Sequence, residues 1–229
     1  MSLQNKLQIV DYFGPRVARV KLDQVTVTEL QAMCNSAEEL MTEKLVGFIR
    51  EEINLIEQMS ANRSVHNQLL EHINNYLYDI DTGIWNEAIH AGSLPGAAEL
   101  TEAWYNKQVA GEHNPPHHHN YSADIVCVIF THVELDNDES KYYTVAGGEK
   151  QTGQLNLVYG EPNEKNGFGK TTITIEPKVG DMYIFPAGLT HYTTPVVGNS
   201  VRYSVACNFN ITSLVKRLQK KLIKGKHGF

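Results

Sequence analysis

The period of the apolar positions changes along the chain. In "LQIVDYFGPRVARVKL" β-branched residues flank Gly14-Pro15, which predicts a strand, a turn and a second strand. From about Thr28 to Tyr78 the spacing turns helical. Leu45, Phe48, Ile49, Ile53 and Ile56, then Leu69, Leu70, Ile73 and Leu77, recur at steps of three and four, predicting core-facing helices. Residues 81–100 hold Gly83, Gly92, Pro95 and Gly96 and predict irregular chain with a short helix about Trp85 to His90. After about Glu102 the texture becomes short runs rich in Val, Ile, Tyr, Thr and Phe: "AWYNKQV", "DIVCVIFTHVE", "KYYTV", "QLNLVYG", "TTITIEP", "DMYIFPAG", "HYTTPVV" and "SVRYSVACNFN". Eight short strands at this spacing predict a mainly β fold with α additions, a double-stranded β-helix (jelly roll) with the N-terminal helices packed on it. The expected organisation is a single domain over 1–229. Its strand and helical support region covers 1–101, the β-helix core 102–212 and a basic C-terminal helix or tail 213–229.

Composition narrows the classes. A hydrophobic share of 41% and a charged share of 20% are ordinary for a globular protein. No apolar run approaches the roughly 18 residues of a membrane span. The opening "MSLQNKLQIVDYFGPRV" lacks the apolar core and cleavage site of a signal peptide, so the expected location is the cytoplasm, of a bacterium or a phage-infected cell. Cys34, Cys127 and Cys207 are widely spaced and imply no disulfide framework. A net charge of −6 argues against nucleic acid as a partner, although "SLVKRLQKKLIKGKHGF" sets Leu214, Leu218 and Leu222 at helical spacing among lysines. That stretch reads as a solvated terminal helix packed by its leucines. The polar, glycine-rich "EPNEKNGFGK" predicts a mobile loop near the barrel mouth.

Chemistry concentrates in "EHNPPHHHNYSADIVCVIF", which holds four of the ten histidines. Asn114-Pro115-Pro116 stiffens the approach into extended geometry, where side chains alternate. His117 and His119 then point to one side and His118 to the other, the arrangement a His-x-His metal chelate needs. Imidazoles suit Fe, Zn, Cu or Ni, and the pair alone does not choose. His191 in "GDMYIFPAGLTHYTTPV" is the candidate third ligand, since it follows a strand and a Pro-Ala-Gly bend. Further on, "VRYSVACNFN" puts Arg202 and Ser204 on one face of an apolar strand, and a cation so embedded calls for an anionic partner. Asp181 reads as a turn residue. His113, His118 and His132 are read as non-ligands, and His66, His72 and His90 as helical surface or packing residues.

Together "NPPHHHNYSADIVCVIF", "GDMYIFPAGLTHYTTPV" and "RYSVACNFN" resemble the 2-oxoglutarate- and Fe(II)-dependent dioxygenase superfamily, and most of all the small bacteriophage-type oxygenase-like proteins. The resemblance covers the C-terminal half. It implies an oxygenase, expected to be a hydroxylase, that couples 2-oxoglutarate decarboxylation to succinate with C–H oxidation. By it His117 and His191 hold Fe(II) and His119 stands where the family has a carboxylate. Arg202 with Ser204 binds the distal carboxylate of 2-oxoglutarate, and Tyr105 and Asn106 on the preceding strand reach the co-substrate. Asp124 is the alternative third ligand. An apolar wall of Val126, Val128, Ile184 and Phe185, or of their opposite faces, would exclude water.

Two other readings stay open. One is a cupin-like metal-binding protein or enzyme that uses no 2-oxoglutarate, in which Arg202 should pair with an internal carboxylate. The other is a barrel inactivated by the histidine at 119. The substrate is expected to be a small molecule or a peptide or amino-acid side chain, with no membrane partner and with room for a homodimer.

Overall fold

The computed structural model describes residues 8–10, 14–41, 46–80, 98–144, 150–160 and 171–211. The short helix near residues 85–90, the loop 161–170 and the basic segment from 213 onward lie outside these residues.

The strands are β1 (Gln8–Val10), β2 (Val17–Lys21), β3 (Glu51–Asn54), β4 (Ala98–Gln108), β5 (Ile125–Glu134), β6 (Tyr143–Thr144), β7 (Lys150–Gln151), β8 (Leu155–Val158), β9 (Thr172–Ile175), β10 (Asp181–Pro186), β11 (Thr190–Thr193) and β12 (Val201–Ile211). They form a seven-stranded sheet in the order β1-β2-β10-β5-β12-β4-β3, a three-stranded sheet β11-β8-β9 and a hairpin β6-β7. All pairings are antiparallel. This is the jelly roll that the run of short strands predicts. The N-terminal region is more than a support, because β1, β2 and β3 extend the large sheet at both edges.

Three helices cover one face of the large sheet: α1 (Gln24–Ser36), α2 (Ile56–Ala61) and α3 (Arg63–Ile80). Asp23 starts α1 by accepting a hydrogen bond from the Thr26 backbone N–H at 2.8 Å. Asn62 divides α2 from α3: its backbone N–H closes the first helix on Gln58 O and its side chain accepts from Val65 N at 3.2 Å. Leu30, Leu69, Ile73 and Tyr76 are fully buried and meet Val205, Cys207 and Phe209 of β12 in one apolar core. A second core lies between the two sheets and holds Val126, Val128, Phe130, Leu155, Leu157 and Phe185. Strand alternation sends Ile184 into the helix-side core and Val126, Val128 and Phe185 into the other.

The helical reading of Phe48 to Ile53 is overturned. Glu51–Asn54 is an edge strand with Ile53 opposite Tyr105, and Phe48 is exposed. Gly47 weakens a helix there, and apolar steps of three and four over so few residues also fit a loop running into a strand. Asp181 is more than a turn residue: it is fully buried and bonds Arg19 at 2.9 Å and Lys21 at 3.2 Å on the adjacent β2. No helix of the described residues is long and apolar enough to cross a membrane.

Ile73 is fully buried in the core between α3 and the sheet, so Ile73→Ala should cost about 2–5 kcal/mol of stability. Urea unfolding of the variant beside the parent measures it, with a midpoint shift and an unchanged slope as the expected result.

Candidate active site

Between β4 and β5 the chain runs alongside β11, the edge strand of the smaller sheet. His117 and His191 form a β-bridge, exchanging N–H···O bonds of 3.0 Å and 2.9 Å. Two residues on, the His119 N–H donates to Ala187 O at 2.8 Å. Backbone pairing therefore fixes where all three imidazoles project. Their nearest ligand atoms lie within 4.8 Å of one another, and among the described residues this is the cluster able to hold a metal.

The tautomers of two rings follow from their partners. His117 Nδ1 lies 2.7 Å from Pro115 O and His191 Nδ1 lies 2.9 Å from Leu189 O. A carbonyl only accepts, so both Nδ1 atoms carry the proton and both Nε2 atoms keep a free lone pair. Burial, reinforced by the neighbouring imidazoles, pulls the His119 pKa down to about 4 and that of His191 to about 3. His117 is lowered too, chiefly by burial. The three rings are neutral bases at neutral pH, the state in which imidazole coordinates a metal.

Asp124 does not join them. Its Oδ2 accepts from Ile211 N at 2.8 Å, and its backbone bonds Phe209 O and Ala187 N, so it ties the end of β12 to the entrance of β5.

Deeper in the barrel, a pocket of about 30 Å³ is lined by residues including Asn106, His191, Thr193, Arg202 and Ser204. Arg202 is 2% exposed and its Nη1 donates to Gln108 Oε1, while the guanidinium lies 4.8 Å from the Phe130 ring centroid. Gln108 in turn donates from Nε2 to Thr193 Oγ1 at 2.9 Å, which fixes the orientation of its amide. Among the described residues no carboxylate meets this cation, and burial alone pulls its pKa down to about 9. Arg202 Nε, Ser204 Oγ and Asn106 Oδ1 are buried without hydrogen-bond partners. A volume of about 30 Å³ holds a water or two, so admission of a five-carbon diacid requires the pocket wall to yield.

Tyr105 is a correction. Neighbours on a strand point to opposite faces, so with Asn106 lining the pocket Tyr105 faces the helices, where its ring meets Tyr203 edge-on at 5.9 Å. Three residues near the histidines were not singled out in the sequence. Trp104 and Gln108 could have been found by stepping two residues either way from Asn106 along β4. Glu52 could not, since it reaches the site only through the pairing of β3 with β4 opposite Asn106.

Residues 102–208 match the family model described as "Putative 2OG-Fe(II) oxygenase". No curated protein sequence matches the chain. Among solved structures, a prolyl-4-hydroxylase from Pseudomonas putida is similar at 15% identity and a TM-score of 0.50, covering 85% of this chain and 92% of that one. HygX from Streptomyces hygroscopicus, with nickel and 2-oxoglutarate bound, is similar at 9% identity and a TM-score of 0.55, covering 86% of this chain and 83% of that one. The same protein with hygromycin B also bound gives a TM-score of 0.54 at 9% identity, with the same coverage. At these identities the likeness is one of fold.

The depressed histidines predict a pH dependence. Below the ordinary imidazole value of 6.5 the unfolded chain binds protons that folded His119 and His191 refuse. Stability from these groups is complete above about pH 6.5 and is lost progressively as the pH falls from there towards the folded values of about 4 and about 3. The urea midpoint of the metal-free chain should drop between pH 7 and pH 5, and His191→Gln should flatten that drop. A midpoint constant across this window would contradict the buried, neutral triad.

Proposed function

We propose that this chain is a 2-oxoglutarate- and Fe(II)-dependent oxygenase, a hydroxylase in which His117, His119 and His191 hold the iron while Arg202 and Ser204 anchor the co-substrate, a reading supported by the family-model match over residues 102–208 and by the histidine cluster. The observation that carries the co-substrate assignment is Arg202: a buried guanidinium bonded to a neutral amide, with its Nε and the neighbouring Ser204 hydroxyl unsatisfied. A carboxylate arriving there would accept from both donors and stabilise the charged form that burial disfavours. A cupin-like site with no 2-oxo acid calls for an internal carboxylate on Arg202, and none of the described residues supplies one.

The donor set also fits a divalent iron. Bound there, iron and 2-oxoglutarate would supply the oxidative chemistry, in which decarboxylation to succinate is coupled to oxidation of a substrate C–H bond. The chain's own residues do the positioning. Pro115 O and Leu189 O hold two imidazoles by their Nδ1–H groups, so that Nε2 faces the centre. Gln108 and Thr193 hold the guanidinium at the far end of the pocket. Val126, Val128 and Leu155 line the space between and exclude water. Three neutral ligands leave the metal charge uncompensated by the protein, and a dianionic co-substrate would offset it. The substrate is a small molecule or a peptide, a reading supported by the hygromycin B bound in HygX.

Two experiments test this. His117→Ala and His191→Ala should each abolish iron binding measured calorimetrically without unfolding the chain, and unchanged affinity in either contradicts the metal assignment. Arg202→Lys keeps a charge but loses the planar fork, so the dissociation constant for 2-oxoglutarate should rise roughly ten- to a hundredfold while iron still binds. The readout is the absorption band of the 2-oxo acid chelated to Fe(II) in oxygen-free solution. Absence of that band in the parent, or an unchanged constant in the variant, sinks the co-substrate assignment.

A further inference from the structure

Outward from the histidines the same face of the large sheet opens into a cavity of about 290 Å³, whose lining includes Glu52, Glu102, Trp104, Asn114, His119 and Asn208. Among the described residues of the lining, the acidic side chains are Glu52 and Glu102, and no Lys or Arg accompanies them.

The amide groups add acceptors to these carboxylates. Asn208 is 1% exposed and donates from Nδ2 to Glu102 Oε2 at 2.5 Å. A carboxylate only accepts, so this bond fixes the amide orientation. It leaves Asn208 Oδ1, buried and without a hydrogen-bond partner, on the other branch. Asn114 Oδ1 is likewise buried and unsatisfied. It sits beside a carboxylate, because a side chain at Gly47 would meet Asn114 Oδ1 at 2.4 Å and Glu52 Oε1 at 3.2 Å. Burial and the charge of Glu112 push the Glu52 carboxyl up to about 7. Unsatisfied buried acceptors beside carboxylates are the complement of a group with several N–H donors and a positive charge.

We propose that this cavity receives the substrate and selects one bearing a protonated nitrogen, an ammonium or guanidinium group, held by Glu52, Glu102, Asn114 Oδ1 and Asn208 Oδ1. The proposal rests on the oxygenase reading of the adjacent histidines and names the substrate class for it. The cation is held at the Glu102 end of the sheet face and the co-substrate carboxylate at the Arg202 end. A carbon chain or ring attached to the cation then extends over Trp104, whose ring centroid lies 5.7 Å from that of His119, toward the metal-binding imidazoles.

The test compares charged probes with neutral isosteres by titration calorimetry on the full chain loaded with Fe(II) and 2-oxoglutarate without oxygen, and again on the metal-free chain. The pairs are N-acetyl-lysine amide against N-acetyl-norleucine amide, N-acetyl-arginine amide against N-acetyl-citrulline amide, and glucosamine against N-acetylglucosamine. In at least one pair the cation should bind about tenfold or more tightly, as one charge-assisted hydrogen bond implies, and the pair that responds separates an amino-acid side chain from an amino sugar. Glu52→Gln and the exposed Glu102→Gln should each erase most of that preference while the 2-oxoglutarate absorption band stays in place. If no pair prefers the cation, or the preference survives both substitutions, the proposal is overturned. Loss of the band in the parent sinks the oxygenase reading, and the cation preference of the metal-free chain still decides this one.

Discussion

Strand β12 is hydrogen-bonded on both edges, to β4 and to β5, and that double pairing forces each of its side chains to one of two faces. Tyr203, Val205, Cys207 and Phe209 go to the helices; Arg202, Ser204, Ala206 and Asn208 go to the barrel interior. A slip of one residue would bring the polar set into the apolar core, so the packing of Phe209 and Cys207 holds Arg202 and Ser204 in register. The bulge against β5 between Tyr203 and Ser204 does not disturb this alternation along β4, where Arg202 faces Gln108 and Ser204 faces Asn106. Stability and site geometry are thus two faces of the same strand.

That register also sorts charge along the interior. Arg202 lies at one end beside neutral Gln108 and the Phe130 ring, and Glu102 lies at the other beside Asn208. Between them stand three imidazoles that burial keeps neutral. Removing a guanidinium from water without an anion is costly, and one neutral hydrogen bond with a cation–π contact offsets only part of that cost. On the proposed reading the folded chain carries this cost where a carboxylate can relieve it, which would set Arg202 apart from a structural ion pair such as Asp181 with Arg19 and Lys21.

What the sequence made legible is what short-range periodicity governs. Extended geometry after Pro115-Pro116 places His117 and His119 together, and period two places Arg202 with Ser204. The same rule, applied to Tyr105 and Asn106, already forbids both from reaching one pocket, and the structure keeps Asn106. Strand β3 was not legible, because a few apolar residues at mixed spacing fit either period and its identity comes from pairing with β4. Glu52 enters the site through tertiary register alone. Its chemistry has no local signature.

The histidine at position 119 is intelligible once Asp124 is placed. A carboxylate close after the histidine run would offer a metal a charged ligand, yet Asp124 is engaged at the strand ends, where its side chain satisfies Ile211 N and its backbone joins β12 to the bend after β10. Drawing it to a metal would strip an N–H of its acceptor and loosen the strand that carries Arg202. On the proposed reading the site therefore meets a divalent metal with neutral ligands and leaves negative charge to the co-substrate. Each ligand then strengthens the binding of the other, since the coupling between two bound charges is reciprocal. A chain built this way would retain iron less firmly alone than with 2-oxoglutarate, which would couple commitment to the metal with commitment to the reaction.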